Sequence, residues 1–281
     1  MTLTAESAPH AITIRRAGQS APLLVQRADP DLRPFIHPIA VPDGDGTLTE
    51  DAPPHHKWQH GLYVGLNGIN GFGFWTEGLR GDPKDGTFHP RPLGSASVGA
   101  DRAAWTVVAD WRAPDRGPLL TEIQSWTLHD RGNSLELDLS WTLIAAVDLT
   151  FAKYAYGGLF VRMPYRDQAK DRAAVLTSEG VSTQTAAEAQ RARWVAIAIA
   201  IPDRHAADDR ASLVMMDHPA NAEHPSPWRV DGQLGIAPSR CIAGPWTLAA
   251  GASTTARYRV LVHPGPIDPS AAAASWDRFI A

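Results

Sequence analysis

Leu135-Glu136-Leu137-Asp138-Leu139-Ser140-Trp141-Thr142-Leu143 carries an apolar side chain at every second position. Successive side chains of a strand point to opposite faces. Leu135, Leu137, Leu139, Trp141 and Leu143 therefore share one face, and Glu136, Asp138, Ser140 and Thr142 share the other. This alternation marks a half-buried antiparallel strand. Residues 119–128 supply a partner arm, and Asp130-Arg131-Gly132-Asn133 between the arms is rich in turn-forming residues.

Working outward from that hairpin, the chain keeps reading as short strands. Ile12-Thr13-Ile14-Arg15, Leu24-Val25-Gln26 and Phe35-Ile36-His37-Pro38-Ile39 open it, and Pro42-Asp43-Gly44-Asp45-Gly46 makes a turn. Leu62-Tyr63-Val64-Gly65-Leu66 has strand composition, and Asn67-Gly68 and Asn70-Gly71 read as tight turns. Residues 77–92 read as a long Gly/Pro loop, the kind that serves function or moves. Strands resume at residues 104–111 and at 159–163, where Pro164 ends the run. Residues 194–201 are apolar on both faces, which predicts a strand central in its sheet. Residues 212–216 and 256–263 add two more. At the end Asp268 can cap a helix, Pro269 suits its first turn, and residues 271–280 follow. With no repeat, heptad or linker, the expectation is all-β: one domain, residues 1–281, a large antiparallel β-sandwich with a short C-terminal helix.

Bulk properties narrow the function classes. Hydrophobic residues make up 44% of the 281, charged residues 20%, and the net charge is −4. Such a chain buries a sizeable core without staples. Lys and Arg form no dense runs, so nucleic acid is not an expected partner. The longest apolar run, residues 194–201, is far short of a membrane span. Cys241 stands alone, so no internal disulfide forms. No basic head precedes an apolar run at the start, and a cytoplasmic location is the default expectation. Ten tryptophans are many for this length; most serve cores, and some stack on planar ligand faces.

The densest chemistry lies in Pro53-Pro54-His55-His56-Lys57-Trp58-Gln59-His60-Gly61. The prolines bias His55 away from helix, and Gly61 leads into the strand at Leu62. Imidazoles change charge near neutral pH and also bind metals. Other classes lack their marks: there is no GxSxG elbow, no Gly-rich phosphate loop, and no CxxC or HExxH metal pattern.

Several segments together resemble a family of bacterial proteins labelled "methane oxygenase PmoA". They are Phe35-Ile36-His37-Pro38, the histidine segment, Asn70-Gly71-Phe72-Gly73-Phe74-Trp75, Gly157-Gly158-Leu159-Phe160-Val161-Arg162, and Asp217-His218-Pro219-Ala220-Asn221 through Pro227-Trp228. Relatives more often carry Arg where this chain has Lys57 or Gln59. The labelled activity needs membrane-spanning helices, which this sequence lacks. The family is similar in strand content to galactose-mutarotase-like supersandwiches, and its members' usual neighbours imply carbohydrate catabolism.

The expectation is thus an enzyme using acid/base chemistry on a sugar or oxidised (keto) sugar, by epimerisation, β-elimination or glycoside cleavage. His55, His56, His60 and His218 would exchange protons, and Lys57 and Arg162 would hold an oxyanion. Trp58, Trp75 and Trp228 would stack on the sugar ring, with His37 and Asn221 completing the binding site. Mutarotase-type chemistry also expects a carboxylate base, and Glu77, Glu122 and Glu136 stay equal candidates. A divalent metal held by His55 with His60, or by either with His37, His218 or Asp217, a homodimer, and a sugar-binding module without turnover are the open alternatives. The expected partner is a small-molecule carbohydrate, with no membrane.

Overall fold

In the computed structural model, which describes residues 2–114 and 116–281, the hairpin runs slightly longer than predicted. Its arms are Pro118–Asp130 and Leu135–Ala145, with Leu143 opposite Glu122. The odd-numbered residues from Leu135 to Leu143 are all buried, as alternation requires. The polar face departs from expectation at one end. Glu136 is fully buried, because the C-terminal helix Pro269–Ile280 packs over it and supplies Ser275 and Arg278 to its carboxylate.

Two antiparallel sheets carry the fold. One has eight strands, in the order Leu3–Ala8, Ala11–Arg16, Leu24–Arg27, Phe35–Ile39, Leu62–Gly65, Gly158–Val161, Ile236–Pro238, Trp228–Val230. The other has nine; its main path is Ala174–Thr177, Trp194–Ala200, Arg210–Asp217, Ser253–Pro264, Leu135–Ala145, Pro118–Asp130, Arg102–Arg112, Thr87–Pro90, with Ser97–Val98 also on Arg102–Arg112. Apolar residues from both sheets form one continuous core, as in face-to-face sandwiches. A two-stranded ribbon, Leu149–Phe151 with Trp246–Leu248, stands beside them.

Two sequence expectations change. The stretch 77–92 is not all loop: Thr87–Pro90 forms an edge strand on Arg102–Arg112, held by fully buried Phe88. Trp194–Ala200 is internal but lies next to the edge strand Ala174–Thr177. Its two apolar faces have separate causes. Val195, Ile197 and Ile199 enter the main core. Trp194 and Ala196 join a second cluster under Trp276 of the helix. Asp268 caps that helix, accepting from the backbone N–H groups of Ser270 and Ala271 at 2.9 and 3.0 Å. Among the described residues, no helix is long and apolar enough to cross a membrane.

Candidate active site

The histidine segment is a short stalk with a turned tip. Ala52 and Gly61 donate backbone N–H bonds to the carbonyls of Gln59 and Glu50, each at 2.8 Å. Two tight turns at the tip, closed by the N–H groups of His56 and Gln59, hold His55, His56, Lys57 and Trp58 off the sheet. Gly61 is needed where the stalk meets the neighbouring strand. Its φ is +55°, and a Cβ there would overlap the Ile36 carbonyl oxygen and lie 2.9 Å from the His37 Cβ. Gly61→Ala is therefore expected to cost ~2 kcal/mol through backbone displacement. The check is a lower urea midpoint at unchanged m; a midpoint equal to wild type would show that the stalk gives way freely.

The tip forms one wall of a hollow of about 330 Å³ lined by His55, His56, Trp58, Gln59, Trp75, Thr76, Arg80, Tyr156, Phe160, Arg229 and Asp231. The His55 and His56 rings meet edge to face at 4.9 Å, and His56 meets Trp58 in the same way at 5.6 Å. The Arg80 guanidinium lies 5.1 Å from the centre of the Trp58 ring, and Arg229 is paired with Glu188 at 2.6 Å.

The two imidazoles differ in environment. Gln233 Oε1 accepts from Arg162 Nη1 at 2.6 Å and lies 2.9 Å from His55 Nε2. Arg162 Nη2 lies 3.1 Å from the same His55 Nε2; the amide oxygen only accepts and the guanidinium only donates, so these two contacts hold the His55 ring in place without fixing its tautomer. The His56 imidazole is held below its ordinary value, chiefly by burial and then by the His55 and Arg162 charges, so it is neutral at neutral pH. Among the described residues its Nδ1 and the Oε1 of Gln59 are buried without a partner, a costly state that calls for explanation. Asp231 Oδ1 accepts from the backbone N–H groups of Gln233 and Gly235 at 2.8 and 2.9 Å, which fixes the carboxylate's orientation.

The expected site residues separate into two sets. His55, His56, Trp58 and Trp75 line the hollow. The others do not. His60 is buried, its Nδ1 bonded to Asp51 at 2.6 Å and its Nε2 to Glu77 at 3.1 Å, so neither nitrogen is free. Arg162 is 1% exposed and acts on the hollow only through His55 and Gln233, with Glu50 on its Nε at 3.3 Å. Lys57 is exposed and outside the lining. His37 is half-buried, with Nδ1 2.9 Å from the Thr49 hydroxyl.

The second predicted segment turns inward for structural reasons. His218 Nδ1 accepts from the backbone N–H of Ala220 at 3.0 Å, and its ring meets Phe279 of the terminal helix at 5.0 Å. Asn221 spends its amide on Asp217 and the Arg257 backbone, all at 2.7 Å. Trp228 is fully buried and donates to the Ala192 carbonyl at 2.8 Å. This cluster closes a loop at the end of Arg210–Asp217 and does not join the histidine tip.

Sequence reading missed Asp231, Tyr156, Arg80, Arg229 and Gln233. Asp231-Gly232 reads only as a turn, and nothing local ties it to His56. The glutamates weighed as bases lie elsewhere: Glu77 and Glu136 are buried in ion pairs, and Glu122 accepts from indoles inside the core. Among the described residues, no group of three or more His, Cys, Asp or Glu side chains is arranged to hold a metal ion.

A family model described as "Family of unknown function (DUF6807)" matches residues 13–277. That description carries no methane-oxygenase activity. No curated protein matches. Among solved structures, the chain is similar to the GH36 α-galactosidase AgaB from Geobacillus stearothermophilus, at 12% identity and a TM-score of 0.43, over 93% of this chain and 40% of that one. It thus spans well under half of that enzyme. It is also similar to a galactose mutarotase related enzyme from Lactobacillus acidophilus, at 10% identity and a TM-score of 0.39, over 95% and 99% of the chains. A galactose mutarotase-like protein from Lactobacillus casei gives 9%, 0.36, 93% and 100%. Likenesses this remote leave the chemistry to be argued from the site's own residues.

Proposed function

The chain belongs to the DUF6807 family, a family of unknown function, and from that starting point we propose a carbohydrate-processing enzyme that works in the hollow of His55, His56 and Asp231. One observation supports this above the others: two imidazoles 4.9 Å apart share an aromatic-walled hollow with an oriented carboxylate. The faces of Trp58, Trp75 and Tyr156 suit the C–H face of a sugar ring. Thr76, Arg80, Arg229 and Asp231 suit its hydroxyls or a carbonyl oxygen. His56, neutral at neutral pH, takes a proton; His55 and Asp231 are placed to exchange another. Arg80 and Arg229 offset negative charge that develops on the substrate oxygen. This set serves epimerisation, β-elimination or glycoside cleavage on a sugar or keto-sugar.

A turnover screen on sugars and 3-keto-sugars tests the reading. His56→Ala and Asp231→Asn are expected to lower kcat/KM by ~100-fold or more, with the fold intact by circular dichroism. Because burial depresses His56, activity should fall on acidification with a midpoint below 6.5, and imidazole NMR of His56 should show the same midpoint. Binding with no conversion, equal in wild type and variants, would establish the non-catalytic module. A His56 midpoint at or above 6.5 would remove it as the base.

A further inference from the structure

We propose that the substrate is at least two sugar units long and that it lies across two adjoining subsites; this rests on the carbohydrate reading above. A second hollow, about 560 Å³, adjoins the first, and Trp75, Thr76, Arg80 and Tyr156 line both. The shared wall is aromatic. Trp75 and Tyr156 have ring centres 4.5 Å apart, and Tyr156 meets Tyr154 at 4.7 Å with its hydroxyl donating to that of Tyr154 at 3.4 Å.

Beyond that wall the two hollows differ in chemistry. His55, His56 and Asp231 line only the first. Phe72 and Tyr154 line only the second, where Asn67, Asp82, Lys84 and Asp85 add an amide, two carboxylates and an ammonium but no imidazole. Each hollow is of the size that takes a small ligand, and each has its own flat apolar surface. The first therefore holds the unit that reacts, and the second holds a unit that only binds. Binding energy from a remote unit is used at the reacting centre, so a truncated substrate loses rate as well as affinity. The bond between the units would cross the Trp75–Tyr156 wall, beside Arg80.

Titration calorimetry with matched sugars tests this: glucose against maltose and cellobiose, galactose against lactose and melibiose. At least one disaccharide should bind about tenfold tighter than its own monosaccharide. Tyr154→Ala and, independently, Phe72→Ala should erase that gain while keeping the monosaccharide Kd within about twofold of wild type. Two variants are used because both rings also touch the core, and each is checked by its melting temperature. Monosaccharide binding with no disaccharide gain overturns the two-unit reading and leaves the carbohydrate reading standing. A gain that survives both variants also overturns it, since the second unit would then lie elsewhere. No binding by any of these sugars overturns the two-unit reading as stated, and the turnover screen above then decides the carbohydrate reading by itself.

Discussion

Arg33→Met should cost ~3–5 kcal/mol of folding stability, the penalty for stripping one partner from a buried ion pair. The Arg33 and Glu77 side chains are both 0% exposed, so solvent screening does not dilute the figure. Arg33 bonds Glu77 through Nε and the Trp75 carbonyl through Nη2, and reaches the Phe74 carbonyl at 3.2 Å. Its guanidinium lies over the rings of Tyr63, Phe88 and Trp75 at 4.6, 5.1 and 5.5 Å. Glu77 in turn accepts from His60, which donates its other nitrogen to Asp51. The chain of charges alternates: Asp51, His60, Glu77, Arg33. Burial pulls Glu77 upward, but Arg33 and His60 hold it below its ordinary 4.5. That stabilisation is present above 4.5 and is lost as pH falls through the depressed value. Without Arg33, Glu77 protonates at higher pH, so the gap between variant and wild type should narrow on acidification from pH 7 towards 4. Urea melts at several pH values measure this. Adding Glu77→Gln to Arg33→Met should recover part of the loss, because no lone charge stays buried. If the single variant melted like wild type, the pair would not be holding the floor under Trp75.

That floor also shows how far local pattern reaches. The hairpin at residues 118–145 was legible because period-2 alternation has one physical cause, a sheet with one face in the core. Even there Glu136 reads as solvent-facing and is buried, since a helix more than a hundred residues later covers it. The histidine segment was legible as chemistry but not as geometry. His55 and His56 stand on the turned tip, while His60 lies on the stalk facing Phe35, at 4.7 Å and nearly parallel to it. Four residues separate catalytic candidates from a structural imidazole. Asp217-His218 looks as reactive as the tip, yet Asp217 spends its carboxylate on Asn221, His224 and the Ser226 backbone to close a loop. Asp231 and Tyr156 carry no pattern at all. They reach the hollow because Trp228–Val230 and Gly158–Val161 lie in the same sheet as Leu62–Gly65, a pairing that depends on the whole fold.

Glu122 makes the second large effect, and its sign is opposite to that of Glu77. It is 1% exposed, and among the described residues its bonded partners are indole and amide N–H groups rather than a cation. Trp111, Gln124 and Trp141 donate to it at 3.0, 3.0 and 2.7 Å. Burial pushes its carboxyl from 4.5 up to about 7, against the pull of those N–H groups and the more distant Arg33. Below 4.5 both folded and unfolded chains hold the proton, and the stability is complete. Between 4.5 and 7 the unfolded chain ionises first, so stability falls as pH rises, by ~3 kcal/mol in all at 1.36 kcal/mol per pH unit. Histidines titrate in the same window: His60, raised, adds to the loss, whereas His37 and His56, lowered, oppose it. Glu122→Gln isolates the carboxyl. The variant keeps an oxygen for Trp141 and Gln124 but turns an amide nitrogen towards Trp111, a penalty that does not depend on pH. Wild type should therefore lead at pH 5, and the lead should shrink by ~2.5 kcal/mol by pH 8, the rest having gone below pH 5. Parallel stability curves would mean that Glu122 is already ionised throughout, its indole donors outweighing burial, and the core would then hold an unpaired charge balanced by N–H dipoles alone.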